Sequence, residues 1–222
     1  MDSKVKNALH AGIEQYAKLA KVEATTFETE LSAAFELDVN FLDKTTSFDA
    51  VFDSHPKFES LREVYFDLLM INFFSNDVKK LEEDYLESEE WGKIEEETID
   101  RGTELLNLLL YIKDCHDEDL EPDLEDFLKE FLLVEDDEFQ DEFEIYEDLI
   151  DNQQLAEASA KEICQTASQL KLVPEMEDLF VPFMVFFSDV EGTENSMKEL
   201  AENSAEPAFE TAVYALITTI NK

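Results

Sequence analysis

Residues 136–151 read DDEFQDEFEIYEDLID, and this stretch decides the fold class and frames the question of function. Phe139, Phe143, Tyr146 and Ile150 recur at i, i+4, i+7 and i+11, the spacing of one helix face and not the alternation of a strand. The remainder is acid: Asp136, Asp137, Glu138, Asp141, Glu142, Glu144, Glu147, Asp148 and Asp151, with no base among them. Such a helix is roughly 24 Å long, and carboxylates three or four residues apart lie ~5–6 Å from one another. Like charges at that spacing cost about a few tenths of a kcal/mol per pair, so the helix is weak in isolation. Its aromatic stripe must hold it to a larger body.

Composition supplies that body. The chain has 222 residues, 44% of them hydrophobic, and its 18 Phe each bring a large apolar area to a core. With 4 Gly and 5 Pro it has too few turn formers for a sandwich or barrel. The expected fold is therefore all-α, a compact multi-helix bundle of stacked helical hairpins with roughly 8–10 helices. We expect one domain over 1–222, with a weak subdivision between 113 and 114.

Outward from the opening stretch, helical spacing recurs. Val5, Leu9, Ile13, Tyr16 and Leu19 predict a first helix, and Thr25-x-x-Glu28 predicts a capping box for a second. The pattern loosens between Asp38 and His55, where Ser47–Asp53 reads as a short helix or an irregular crossing. Ser54-His55-Pro56 reads as the start of an apolar helix through Phe74, with Pro56 in its first turn. A helix through Leu81, Tyr85 and Leu86 is expected next, then a long one from about Trp91 to Lys113. Asp114–Asp123 reads as a charged connection, after which Pro122 reopens a helix carrying Leu124, Phe127 and Leu128. Three or four more are expected beyond residue 151, at about Gln153–Leu170, Pro174–Ser188, Glu194–Asn203 and Ala208–Ile220.

The formal net charge is −39, from 56 acids against 17 bases, and it is concentrated. Residues 1–81 hold 14 acids and 9 bases, residues 82–157 hold 31 and 4, and the rest hold 11 and 4. Such a charge destabilises the compact state by self-repulsion, and it repels nucleic acid and anionic membranes while favouring a positively charged protein surface. The sharpest form of this expectation is nucleic-acid mimicry, in which rows of carboxylates stand in for phosphates in the basic cleft of a nucleic-acid-binding enzyme. B-DNA carries one charge per ~1.7 Å of axis, so two acidic helices side by side are needed to approach it. The segments 82–104 and 136–151 are the candidates. The expected contact residues are Glu95, Glu96, Asp137, Glu138, Asp141, Glu142, Glu144, Glu147, Asp148 and Asp151.

Two other readings compete: a solvated acidic face on an interaction scaffold, and a carboxylate metal site. No Glu-x-x-His occurs, and His10, His55 and His116 are scattered. Asp189-Val190-Glu191-Gly192-Thr193-Glu194 has the look of a calcium loop but fails its template, with Glu194 at the glycine position and Leu200 at the bidentate one. The cluster Asp117-Glu118-Asp119-Glu121-Asp123 is expected to hold divalent cations loosely if at all. Cys115 and Cys164 lack metal-ligand spacing and are expected as reduced thiols. No P-loop, dinucleotide glycine pattern or Ser-His-Asp order is found, so no enzyme activity and no cofactor is expected. The polar start Met1-Asp2-Ser3-Lys4 lacks a signal-peptide core, and the expected location is the cytoplasm.

Overall fold

The computed structural model of the chain describes residues 1–76, 88–132 and 139–222, without the side chains of 76, 131 and 139–142. All regular structure among these residues is helical: twelve α-helices and three short 3-10 segments packed compactly. The expected all-α bundle is the observed class, with more helices because several expected long ones are broken. The helix anticipated through Leu81, Tyr85 and Leu86 lies outside the described residues.

The helices are α1 (Ser3–Ala20), α2 (Thr25–Glu36), α3 (Phe41–Ser54), α4 (Arg62–Asn76), α5 (Glu89–Thr98) and α6 (Leu105–Glu118). They continue with α7 (Leu124–Phe131), α8 (Phe139–Asp151), α9 (Ala160–Ala167), α10 (Phe180–Ser188), α11 (Glu194–Asn203) and α12 (Pro207–Ile220). The 3-10 segments are Pro56–Leu61, Gln153–Glu157 and Pro174–Met176.

Local chemistry explains most boundaries. Asp2 caps α1 by accepting from the Lys4 and Val5 N–H groups, and Asn40 opens α3 by accepting from Asp43 N–H. The loose stretch before His55 is thus mostly helix. Pro56 sits in the first turn of a 3-10 segment, and the α-helix proper starts six residues later at Arg62. The expected Thr25/Glu28 capping box does not form. Thr25 is already inside α2, and its hydroxyl donates to Glu23 instead. The box that does form is Ser159 with Glu162, opening α9. It splits the expected 153–170 helix.

A single contiguous core joins both halves of the chain. Its N-terminal part is aromatic: Phe27 stacks face to face on Phe58 at 4.0 Å and meets Phe52 edge-on at 5.2 Å. Its centre is α10 and α12, apolar on nearly every side and buried from Phe180 to Phe186 and from Phe209 to Thr218. The most extensive helix pairing is between the two ends of the chain, α1 on α12. Gly12 permits it: a Cβ there would meet the Tyr65 hydroxyl and approach Ala212 O to 3.2 Å. Tyr65 fills the junction and donates to Leu9 O at 3.1 Å. Among the described residues no helix is long and apolar enough to cross a membrane.

Candidate acidic interface

The expected long helix from Trp91 to Lys113 is two helices, and the break reorganises the acidic segment. Arg101, Gly102 and Thr103 are pinned sideways onto α4, and Gly102 holds a left-handed φ of 83° that no helix interior accepts. α6 then runs beyond its expected end at Lys113 into the expected connection, as far as Glu118. It stops in a Schellman motif: Leu120 N–H donates to Cys115 O at 2.8 Å and Asp119 N–H to His116 O at 3.3 Å, with Asp119 left-handed at φ 60°. The chain reverses through Glu121 and the buried Pro122. Asp123 then caps α7 by accepting from the Glu125 and Asp126 N–H groups. Tyr111 locks the turn, its hydroxyl donating to Asp123 O and accepting from Asp123 N–H, both at 3.0 Å.

Between the end of α6 and α7 lies a cleft of about 380 Å³. Buried Tyr111 and Cys115 form its floor, and Leu120, 57% exposed, is its apolar rim. Its walls are Asp114, Asp117, Glu118, Glu121, Asp126 and Glu130, and among the described residues no cation lines it. Burial, and then the neighbouring Asp114 and Glu118 carboxylates, push the Glu130 carboxyl above its ordinary range. The Lys113 ammonium hydrogen-bonded to Asp117 holds that carboxyl below it. Burial raises the Cys115 thiol, with Glu130, Asp114 and Glu118 adding to the effect, so it is the opposite of an activated nucleophile.

Most counter-charge in this part of the chain is already committed. Of the four bases in residues 82–157 three hold carboxylates: Arg101 serves Asp49 and Glu63, Lys113 pairs with Asp117 at 2.8 Å, and Lys129 pairs with Glu125 at 2.8 Å and Asp126 at 3.4 Å. These exposed lysine pairs are individually weak.

The residues expected to make the interface are distributed as follows. Glu95 and Glu96 are exposed on α5, whose Ile94 is buried; that helix packs on α3. Glu144, Glu147 and Asp151 are exposed on α8, which packs on α7, α10 and the Pro174–Met176 segment. Asp141 and Glu142 lie on the backbone of α8, and Asp137 and Glu138 lie outside the described residues. Asp148 is committed to the fold: it is half-buried and accepts from Val173 N–H at 2.8 Å. Of the expected stripe of α8, Tyr146 is fully buried and Phe143 and Ile150 are half-buried, and the buried Leu149, not part of that reading, packs beside them. Thus α5 and α8 are anchored to different neighbours, whereas α6, α7 and α8 pack in succession and each presents carboxylates. Asp114, Asp117, Glu118 and Glu121 were visible in the sequence as part of the charged connection 114–123, but that they face Asp126 and Glu130 of α7 across a cleft required the unforeseen continuation of α6.

Other titratable groups are engaged elsewhere. Exposed His10 contacts Glu28 at 2.7 Å. His116 accepts from the Lys4 ammonium at Nδ1 and donates through Nε2 to Asn221 O, both at 2.8 Å, tying the chain's two ends to α6. In the loop with a calcium look, Asp189 accepts from Thr193 N–H and from the hydroxyls of Thr193 and Ser196. Burial pushes that carboxyl up, and the three bonds outweigh it and hold it below the usual range. Cys115 and Cys164 are buried free thiols, and burial pushes Cys164 up to about 12. Among the described residues no group of three His, Cys, Asp or Glu side chains is arranged to hold a metal ion.

No family model, no curated protein and no solved structure matches the chain.

Proposed function

We propose that this protein acts by binding a positively charged protein surface, as an inhibitor, immunity-type or regulatory factor, through the acidic side formed by α6, α7 and α8. The α6–α7 cleft is the observation that carries this reading: six carboxylates surround Tyr111 and Cys115, only Asp117 and Asp126 among them pair with a lysine (Lys113 and Lys129), and among the described residues no cation lines the cleft. A lysine or arginine side chain of a partner matches such a cleft, its aliphatic stem on Tyr111 and Leu120 and its charge among the carboxylates. Mimicry of nucleic acid is the sharpest form of the proposal, with the basic cleft of a nucleic-acid-binding enzyme as the surface engaged.

A scaffold with apolar contacts has less support. Among the described residues the exposed large hydrophobics are Leu37, Val39, Ile99 and Leu120, single side chains and a short loop pair rather than a broad patch.

Affinity capture tests the proposal. Wild-type protein is compared with the quadruple variant Glu118→Gln, Glu121→Gln, Asp126→Asn, Glu130→Gln, all exposed positions. Partner retained by the wild type, lost by the variant and displaced by duplex DNA supports mimicry; equal recovery by both proteins removes the cleft from the binding surface.

A further inference from the structure

His116 lies in the last turn of α6, between Cys115 on the floor of the cleft and Asp117 in its wall. Both of its ring nitrogens are in use. Nδ1 lies 2.8 Å from the Lys4 ammonium on α1, and Nε2 lies 2.8 Å from the backbone oxygen of Asn221, just after α12. Asn221 is itself fixed, its side-chain amide donating to Val190 O at 3.1 Å. One imidazole thus joins the end of α6 to the start of α1 and to the residue that follows α12, the two helices whose pairing is the most extensive in the fold.

The partners fix the state of the ring. An ammonium has no lone pair and only donates, so Nδ1 must accept; a carbonyl only accepts, so Nε2 must carry the hydrogen. The contact therefore needs the neutral Nε2–H tautomer and has no place for a second proton. A proton added at Nδ1 would point one N–H at another and set an imidazolium against an ammonium. Among the described residues the charged groups that bear on the ring are Lys4 from α1 and, on its own helix, Asp117, which is hydrogen-bonded to Lys113 at 2.8 Å and senses the charges of both His116 and Lys4. The segment after α12 contributes the uncharged Asn221 carbonyl.

We propose that His116 is a proton-sensitive clasp: the neutral ring holds the start of α1 on the end of α6, and protonation makes it let go of Lys4. The clasped form excludes the proton that the released form accepts, so the clasp is intact at higher pH and acid favours release. A histidine free of such a contact takes up its proton near ~6.5, which places the change within the range of physiological pH. In the released form the imidazolium keeps the Asp117 carboxylate as a neighbour, and that attraction adds to release instead of opposing it. The end of α6 that carries the cleft residues Cys115 and Asp117 is then tied to α1 in neutral solution and loosened from it in acid. This inference is independent of the partner proposed above.

Two measurements on the full-length chain test it. The first is a double-mutant cycle of Lys4→Met and His116→Gln, read by denaturant unfolding at about pH 8 and about pH 5.5, either side of an ordinary histidine at ~6.5. Glutamine keeps a donor for Asn221 O and removes the acceptor for Lys4. At the higher pH the cycle should show a favourable coupling of about twofold to fivefold in the unfolding equilibrium constant, the size of an exposed charged contact. At the lower pH that coupling should vanish or reverse. No coupling at the higher pH, or an equal or stronger favourable one at the lower, overturns the clasp; plain repulsion between two cations would appear in acid alone. In the second, nitrogen-15 shifts of the wild-type imidazole report its tautomer at about pH 8, which keeps the question decidable if a variant does not fold. A ring with hydrogen on Nε2 and a bare Nδ1 supports the clasp, whereas hydrogen on Nδ1, alone or on both nitrogens, overturns it.

Discussion

Gly102 shows at the scale of one residue how a sequence pattern can mislead. Apolar residues on both sides keep helical spacing, so residues 91–113 read as one helix, and one glycine among them costs a helix only about 1 kcal/mol. What overrides that pattern is tertiary: Glu63 and Asp67 on α4 offer acceptors that pull Arg101, Gly102 and Thr103 out of line. We expect Gly102→Ala to destabilise the fold by about 1–3 kcal/mol, because it meets both a positive φ and the Asp67 carboxyl. Thermal or denaturant unfolding measures this, and an unchanged midpoint contradicts the geometry described for the connection between α5 and α6. Asp148 is the converse case. Its place in an acidic row suggested a contact residue, yet its carboxylate accepts from Val173 N–H. Asp148→Ala should cost about 1–3 kcal/mol by leaving that donor without its partner, while the exposed Glu144→Ala should change stability little.

At the scale of elements, legibility followed periodicity and failed at the ends. The stripe of α8 was readable because four apolar positions keep one face, on which Tyr146 is fully buried and Phe143 and Ile150 are half-buried. The C-terminal helices were placed closely because α12 is apolar on nearly every side and Pro207 marks its first turn. Caps were harder. Thr25 and Glu28 have the capping-box pattern without the geometry, because α2 begins at Thr25 itself, whereas Ser159 and Glu162 have both. A motif of two residues at fixed spacing recurs by chance in a chain so rich in Glu, and only the backbone turn separates the two cases. Ser159→Ala should lower stability by about 1 kcal/mol by removing the cap of α9, whereas Thr25→Ala should have a smaller effect. Circular dichroism melts of the two variants decide it; equal losses would contradict the assignment.

For the whole molecule the central fact is the imbalance of 56 acids against 17 bases on an ordinary-sized core. The core was legible because the 18 Phe fall mostly on helical faces. The proposed site was legible only in part: the sequence located the charge in 82–157 and offered segments 82–104 and 136–151 as the candidates, whose described helices α5 and α8 are anchored to different neighbours. The cleft instead arises where α6 overruns its expected end and turns back into α7. Self-repulsion on this scale works against the compact state, and added salt screens it. The melting temperature should therefore rise between low and moderate salt, and a fall or no change would mean that the carboxylates are neutralised in some other way.

The same screening acts in the opposite direction on binding, which gives the most direct test of the proposed function. The dissociation constant for a captured partner is measured over a salt series, for the wild type and for the Glu118, Glu121, Asp126 and Glu130 amide variant. A surface that binds through its carboxylates predicts weakening affinity as salt rises, with a shallower salt slope for the variant. Affinity that is indifferent to both salt and neutralisation would contradict the account and leave the acidity a property of the solvated surface alone.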